Sequence, residues 1–177
     1  MWNLLEELNL LATTSRGNEG HARFELSFLL EQIGDSQPII QRTGISGLLA
    51  VRTSLSPFDV VRKLRTILQE RPYEFRYTLR VIPIEKVVRT GLDQIQEAVS
   101  ELSSKIGRNE TFRVTVEKRF SGTSTKDLIE AAAAKIKNKV NLTKPDKTLL
   151  IEVFGRFTGV SVIKPEDVLS ILKEKVL

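Results

Sequence analysis

The sequence predicts an α/β (α+β) chain built in two halves, and three observations lead there. Short apolar stretches with strand periodicity alternate with longer stretches that repeat every three to four residues, the pattern of helices packed on a sheet. The 177 residues, 41% of them hydrophobic, suffice for one large core or two small ones. Charge then divides the chain. Residues 1–75 hold 8 Lys/Arg against 9 Asp/Glu, a balance of −1, whereas residues 76–177 hold 19 against 13, a balance of +6.

In the first half, Leu8–Thr14 reads as a strand running into the polar turn Ser15-Arg-Gly-Asn18. Ala22, Leu26, Leu29, Leu30 and Ile33 share one helical face, and Gly34 stands where a helix C-terminal glycine belongs. A loop containing Pro38 leads to a second strand, Leu48–Arg52. Ser56-Pro57 opens the next helix, cap residue before proline, with Val61, Leu64 and Leu68 on its apolar stripe and Arg71-Pro72 at its end. Strand, helix, strand, helix in so few residues, continuing into Phe75–Ile84, predicts a ferredoxin-like N-terminal domain over residues 1–75. The segment from Tyr77 to Ile84 is read as a bridge between the halves, with Pro83 at a strand end because it cannot donate to a ladder.

The second half, 76–177, opens with the cleanest amphipathic helix, Leu92, Ile95, Val99, Leu102 and Ile106, closed by Gly107. In the strand that follows, Phe112, Val114 and Val116 alternate with Arg113, Thr115 and Glu117, so Arg113 is expected on the wet face. Leu128, Ala132, Ile136 and Val140 then repeat at the helical period, with Lys135, Lys137 and Lys139 between them, and predict one helix carrying both core and charge. Asn141 and the Lys144-Pro145-Asp146 turn stop it. Strands over 148–154 and 157–163 join at Gly155-Arg156, and Pro165 opens a final helix that Lys173 and Lys175 close.

Composition excludes several chemistries. There is no Cys, hence no disulfide, thiolate metal site or cysteine nucleophile. The uncharged start Met1-Trp2-Asn3 lacks the features of a secretory leader, and no apolar run approaches the ~20 residues of a membrane span, so a cytoplasmic protein without a membrane partner is expected. His21, the only histidine, has no neighbouring carboxylate or hydroxyl in the sequence and reads as structural or exposed. Neither Gly17-Asn-Glu-Gly20 nor Gly44-Ile-Ser-Gly47 lies between two helices, as an RNA-clamping GXXG loop would. No glycine-rich dinucleotide fingerprint follows a strand, and no acid/base pair stands out, so no catalytic residue, metal or cofactor is assigned.

The strongest binding candidate is the turn from Lys118-Arg119 through Gly122 to Ser124, leading into a helix whose free N–H groups favour a phosphate. Ser124 with Asp127 is equally a plain capping pair. Arg113, Lys135, Lys139, Lys144, Lys147 and Arg156 extend the set into a cluster able to neutralise a phosphate backbone. Taken alone, such a charge excess is slightly better explained as a solvated surface.

A resemblance tips that balance. Val140-Asn-Leu, Pro145-Asp and Ile151-Glu-Val resemble the THUMP domain of RNA-modification proteins, as do Thr111–Arg119 followed by Ser124-Thr125, and Gly159–Ile163. Arg80–Glu85 and Gly44–Val51 are similar to segments of one subgroup, the THUMP protein that assists the tRNA cytidine acetyltransferase. The resemblance implies a THUMP domain over 76–177 and a noncatalytic tRNA-binding adaptor. Its partners would be tRNA and a modification enzyme supplied in trans, an acetyltransferase first and a thiolation or methylation enzyme second. A protein-interaction module is the reading left if RNA plays no part.

Overall fold

The computed structural model describes residues 3–175, so the Met1-Trp2 start lies outside the described residues. The chain forms two compact units, one from the N-terminus to Ile84 together with residues from Glu166 onward, the other Glu85–Pro165. The division falls at Ile84/Glu85 rather than at 75/76, and the last residues return to the first unit.

The first unit begins with a short helix, α1 (Leu4–Glu7), whose Asn3 side chain accepts the Leu5 N–H as its N-cap. It then runs β1 (Leu10–Thr14), α2 (Glu19–Gln32), β2 (Ile39–Arg42), β3 (Leu48–Arg52), α3 (Pro57–Glu70) and β4 (Thr78–Pro83). The sheet order is β2-β3-β1-β4, every neighbouring pair antiparallel, which is the ferredoxin-like βαββαβ arrangement. Two of its strands differ from the sequence reading. β2, taken as loop, is a four-residue edge strand after Pro38, too short to show periodicity. β4, taken as a bridge, pairs with β1 along its length and buries Val81 and Ile82; Pro83 does end it.

The β2–β3 hairpin explains the second GXXG stretch. Gly47 has φ +75°, and a Cβ there would stand 2.6 Å from the Thr14 carbonyl oxygen, so only glycine lets the hairpin approach β1. His21 is exposed and stacks on Tyr77 at 4.7 Å.

The expected C-terminal helix is also different. Pro165–Asp167 form one 3₁₀ turn, and β9 (Leu169–Ser170) adds to the far edge of β4. Only α6 (Ile171–Glu174) is helical. Leu169 and Ile171 stand two apart and both bury in the first core, a strand-like spacing. Lys175, expected to face the helix dipole, donates instead to the Phe75 carbonyl at 2.9 Å.

The second unit runs β5 (Lys86–Arg89), α4 (Leu92–Leu102), β6 (Phe112–Arg119), α5 (Thr125–Ala133), β7 (Lys147–Phe154) and β8 (Phe157–Ile163). Its sheet has the order β5-β8-β7-β6, with β6 and β7 parallel and the other pairs antiparallel. α4 and α5 pack on one face over Ile95, Val99, Phe112, Leu128, Leu149, Ile151 and Val160. β6 turns Phe112, fully buried, and Val114 and Val116, at the margin, toward that core, but the expected wet face is not found along its first half, where Arg113 and Thr115 are half-buried too. Among the described residues no helix is long and apolar enough to cross a membrane.

One buried acid ties down the first unit. Asp35, 1% exposed, accepts hydrogen bonds from the Thr53 hydroxyl at 2.6 Å, the Ser54 N–H and hydroxyl at 3.2 Å each, and the Gln37 N–H at 3.2 Å. Asp35→Ala should strand those donors and cost about 3 kcal/mol, read as a lowered midpoint in urea denaturation. A midpoint within experimental error of the wild type would remove this role.

Candidate functional site

The site is laid out by β6 and its return path. Parallel strands cannot be joined by a tight turn, so α5 and the connector of residues 134–146 carry the chain back along the sheet before β7 begins. Basic residues therefore collect at two ends of β6, separated by the strand length, about 23 Å at ~3.3 Å per residue.

At the C-terminal end stand Lys118, Arg119, Gly122, Ser124 and Arg156. Lys118 Nζ donates to the Thr123 carbonyl at 2.9 Å, and Arg119 Nη1 pairs at 2.7 Å with Glu152, which is completely buried. Losing Arg119 would remove a charged partner from a carboxylate buried away from water, so that guanidinium is committed to the fold. Ser124 Oγ accepts the Asp127 N–H at 3.3 Å and caps α5. Gly122 has open space where a Cβ would stand. Arg156 is exposed at the β7–β8 hairpin, whose Gly155 N–H donates to the Arg119 carbonyl at 2.9 Å.

At the N-terminal end stand Arg113, Lys135, Lys139, Lys144 and Lys147. The single long helix expected for Lys135 and Lys139 does not form. α5 stops at Ala133, the N–H groups of Lys135 and Ile136 close tighter three-residue turns, and the chain then extends beside β6. There the Phe112 N–H donates to the Lys139 carbonyl at 3.0 Å, and the Asn141 N–H donates to the Phe112 carbonyl at 2.9 Å. Val140, expected in the core, is 55% exposed and bridges to Phe112 through its backbone. Satisfying the open edge of β6 outweighs further helix, which would carry no additional packing.

The connector is pinned by Asn138, whose amide donates to the carbonyls of Gly107 at 2.7 Å and Glu110 at 2.9 Å. Ile136 and Asn138 turn inward while Lys135, Lys137 and Lys139 are exposed. None of these lysines, nor the exposed Lys144, has an ion-pair partner among the described residues. Arg113 is half-buried rather than on a wet face; its guanidinium donates to the Leu142 carbonyl at 3.1 Å. Lys147 is bound to Glu110 at 2.7 Å and to the Lys105 carbonyl at 3.2 Å.

Two cations at this end were not among the expected binding residues. Arg108 and Lys137 join Lys139 and Asn138 in lining a groove of about 340 Å³ at this end. The alternation of Lys135, Lys137 and Lys139 is itself an extended period, and it is the signal that identifies Lys137. The hydrogen bond from Lys147, with that from the Gly107 N–H, holds the Glu110 carboxyl below the ordinary carboxylate range. The Thr111 N–H and hydroxyl do the same for Asp146. Of the ten expected binding residues, Lys118, Arg119, Arg113 and Lys147 are tied to internal partners, and Lys135, Lys139, Lys144 and Arg156 carry charge into solvent.

Residues 89–163, from the end of β5 to the end of β8, match the family model of the THUMP domain. An uncharacterized protein of Methanocaldococcus jannaschii is 29% identical over 162 residues, covering 89% of this chain and 42% of the relative. The crystal structure of PH1313 from Pyrococcus horikoshii superposes with a TM-score of 0.63 at 15% identity, over 88% of this chain and 54% of that one. A 4-thiouridine synthetase in complex with RNA and ATP superposes with a TM-score of 0.50 at 15% identity, over 92% of this chain and 42% of that one. The two structures share the fold. The chain spans about two fifths to one half of the length of these proteins.

Two outcomes follow from the connector. Asn138→Ala should cost about 1–3 kcal/mol, because two buried-side carbonyls lose their donor, and should speed amide exchange at Phe112 and Asn141. Unchanged exchange would show that Asn138 does not pin it. Both depressed carboxyls contribute stability that is present above their unfolded range and is lost as the pH falls through their folded values. The same amides should therefore lose protection on acidification below the ordinary carboxylate range, and Glu110→Gln with Asp146→Asn should flatten that response; an unaltered acid profile in the double variant would contradict it.

Proposed function

We propose, on the premise of the match of residues 89–163 to the THUMP domain, that the chain is a noncatalytic adaptor that holds tRNA for a modification enzyme supplied in trans. THUMP domains bind RNA in tRNA modification. One observation carries the assignment to this chain. The unit Glu85–Pro165 has 15 Lys/Arg against 10 Asp/Glu, the whole of the net +5, whereas the first unit has 12 of each. Within that unit the connector adds four exposed lysines without ion-pair partners. A ribbon of uncompensated cations at fixed spacing is what a phosphate backbone requires.

The partner we favour is the tRNA cytidine acetyltransferase that forms N4-acetylcytidine, with the reaction taking place in the cytoplasm. The support is the resemblance of Gly44–Val51, in the β2–β3 hairpin and β3, and of Arg80–Glu85, in β4 and the two residues after it. A second reading, a thiolation enzyme as partner, is favoured by the shared fold with the 4-thiouridine synthetase bound to RNA. Under either reading the chain binds tRNA and performs no step of the reaction.

Binding of tRNA should weaken steeply as salt rises, since each phosphate contact displaces counterions. Lys135→Glu with Lys139→Glu should weaken it about tenfold or more and lower the salt slope by about two, because two phosphate contacts are lost. Lys63→Glu with Lys173→Glu, an equal change of charge on exposed residues of the neutral unit, should leave the slope nearly intact. Equal losses from the two pairs would reduce the effect to net charge. For the partner, adding the chain to the purified acetyltransferase with tRNA and acetyl-CoA should raise N4-acetylcytidine yield; a rise instead in 4-thiouridine with a synthetase would select the second reading.

A further inference from the structure

The turn between β6 and α5 holds a side chain that the fold does not use. Phe120 is 81% exposed, and its backbone has φ +52°, the left-handed region that costs a non-glycine residue energy. It is the one non-glycine residue with positive φ among those described. Glycine would sit there without strain, so a bulky aromatic held out into solvent is explained by neither packing nor turn geometry.

The turn around it is nevertheless rigidly built. Lys118 Nζ closes onto the Thr123 carbonyl, the Ser121 hydroxyl accepts the Thr123 N–H at 3.3 Å, and Ser124 caps α5. On the other side Arg119 is anchored to buried Glu152, and its carbonyl accepts the Gly155 N–H of the hairpin that presents Arg156. The aromatic ring is thus mounted on a braced support, with a solvent-facing cation on the adjoining hairpin and the polar, open Ser121-Gly122 beside it.

We infer that Phe120 is a stacking platform for an unpaired nucleobase of single-stranded RNA, with Arg156 on the adjoining hairpin taking an adjacent phosphate. This rests on the RNA-binding reading above and adds to it a second contact, about 23 Å along β6 from the lysine connector. An exposed aromatic ring offers any base a face to stack on, and a base still paired in a duplex has no free face to offer. The surroundings favour RNA over protein. A protein-docking patch needs a contiguous apolar surface, whereas the residues following Phe120 are Ser121, Gly122, Thr123 and Ser124.

The test uses the full chain and a 12-nucleotide single-stranded RNA carrying 2-aminopurine, with a 12-base-pair RNA duplex as the comparison. The expected result is quenching of the 2-aminopurine on binding, and tighter binding to the single strand than to the duplex. Phe120→Leu should bind the single strand about ten- to a hundredfold more weakly with quenching lost, Phe120→Tyr should retain both, and duplex affinity should not change. The salt slope should be the same in the Phe120→Leu variant, since no phosphate contact has been removed, whereas Arg156→Ala should lower it by about one. Phe120→Gly should melt at or above the wild-type temperature, separating loss of binding from loss of fold. Wild-type quenching and affinity in Phe120→Leu, or an equal loss for duplex and single strand, would overturn the stacking role while leaving RNA binding standing. Absence of binding by the wild-type protein to either RNA at low salt would overturn the functional reading, and the platform with it. If Phe120→Leu leaves RNA affinity intact but abolishes capture of a modification enzyme, the ring serves a protein contact and the inference fails.

Discussion

The parallel pairing of β6 with β7 is the constraint on which the second unit depends. Antiparallel neighbours can be joined in two residues, but parallel ones oblige the chain to travel back the full length of the strand. Here α5 covers the core on the way and the connector spends the remainder along the open edge of β6, where Phe112 exchanges hydrogen bonds with Lys139 and Asn141. A segment made only to close a topology thereby becomes an extended ribbon held by backbone bonds. Its side chains have no duty to the core beyond Ile136, and four of its thirteen residues are lysine.

Net charge and available charge are different quantities in this unit. Arg119 is neutralised by a carboxylate with no access to water, Lys147 is shared between Glu110 and a carbonyl, and Lys118 closes a turn. Such pairs contribute to order and little to an outside polyanion. Each end of β6 has both kinds: Lys118 and Arg119 are tied beside an exposed Arg156 at one, and Arg113 and Lys147 are tied beside exposed Lys135, Lys137, Lys139 and Lys144 at the other.

Much of the fold could be read in the sequence because its helices are amphipathic and its inner strands apolar. α3 and α4 show clean apolar stripes, and β7 and β8 form a pair separated by two residues around Gly155. What could not be read has a common cause. β2, β5, β9 and the connector are short segments whose state is decided by a partner far away in the chain, and local period says nothing about such a partner. The helical spacing of Leu128, Ala132, Ile136 and Val140 gives the burial of the first three, although the helix itself ends at Ala133, and misleads at Val140, where edge hydrogen bonds decide the matter. For the site, residue type indicated the basic region, but which cations are spoken for depends on Glu152, Glu110 and three carbonyls that sequence does not place.

The return of β9 and α6 to the first sheet has a consequence for how the chain is made. The second unit is nested inside the first: every residue from Glu85 to Pro165 is translated before the strand that completes the first sheet. During synthesis β4 must therefore wait with an uncovered edge, the situation in which a strand recruits a wrong neighbour. Arg80 lies on that edge and Pro83 ends it, a charge and a missing donor of the kind that discourage stray pairing. Vectorial synthesis makes the nested unit the first to be finished and leaves closure of the other to the residues after Pro165, so a stall or truncation shortly before Leu169 would leave the second unit complete and the first sheet still open at β4.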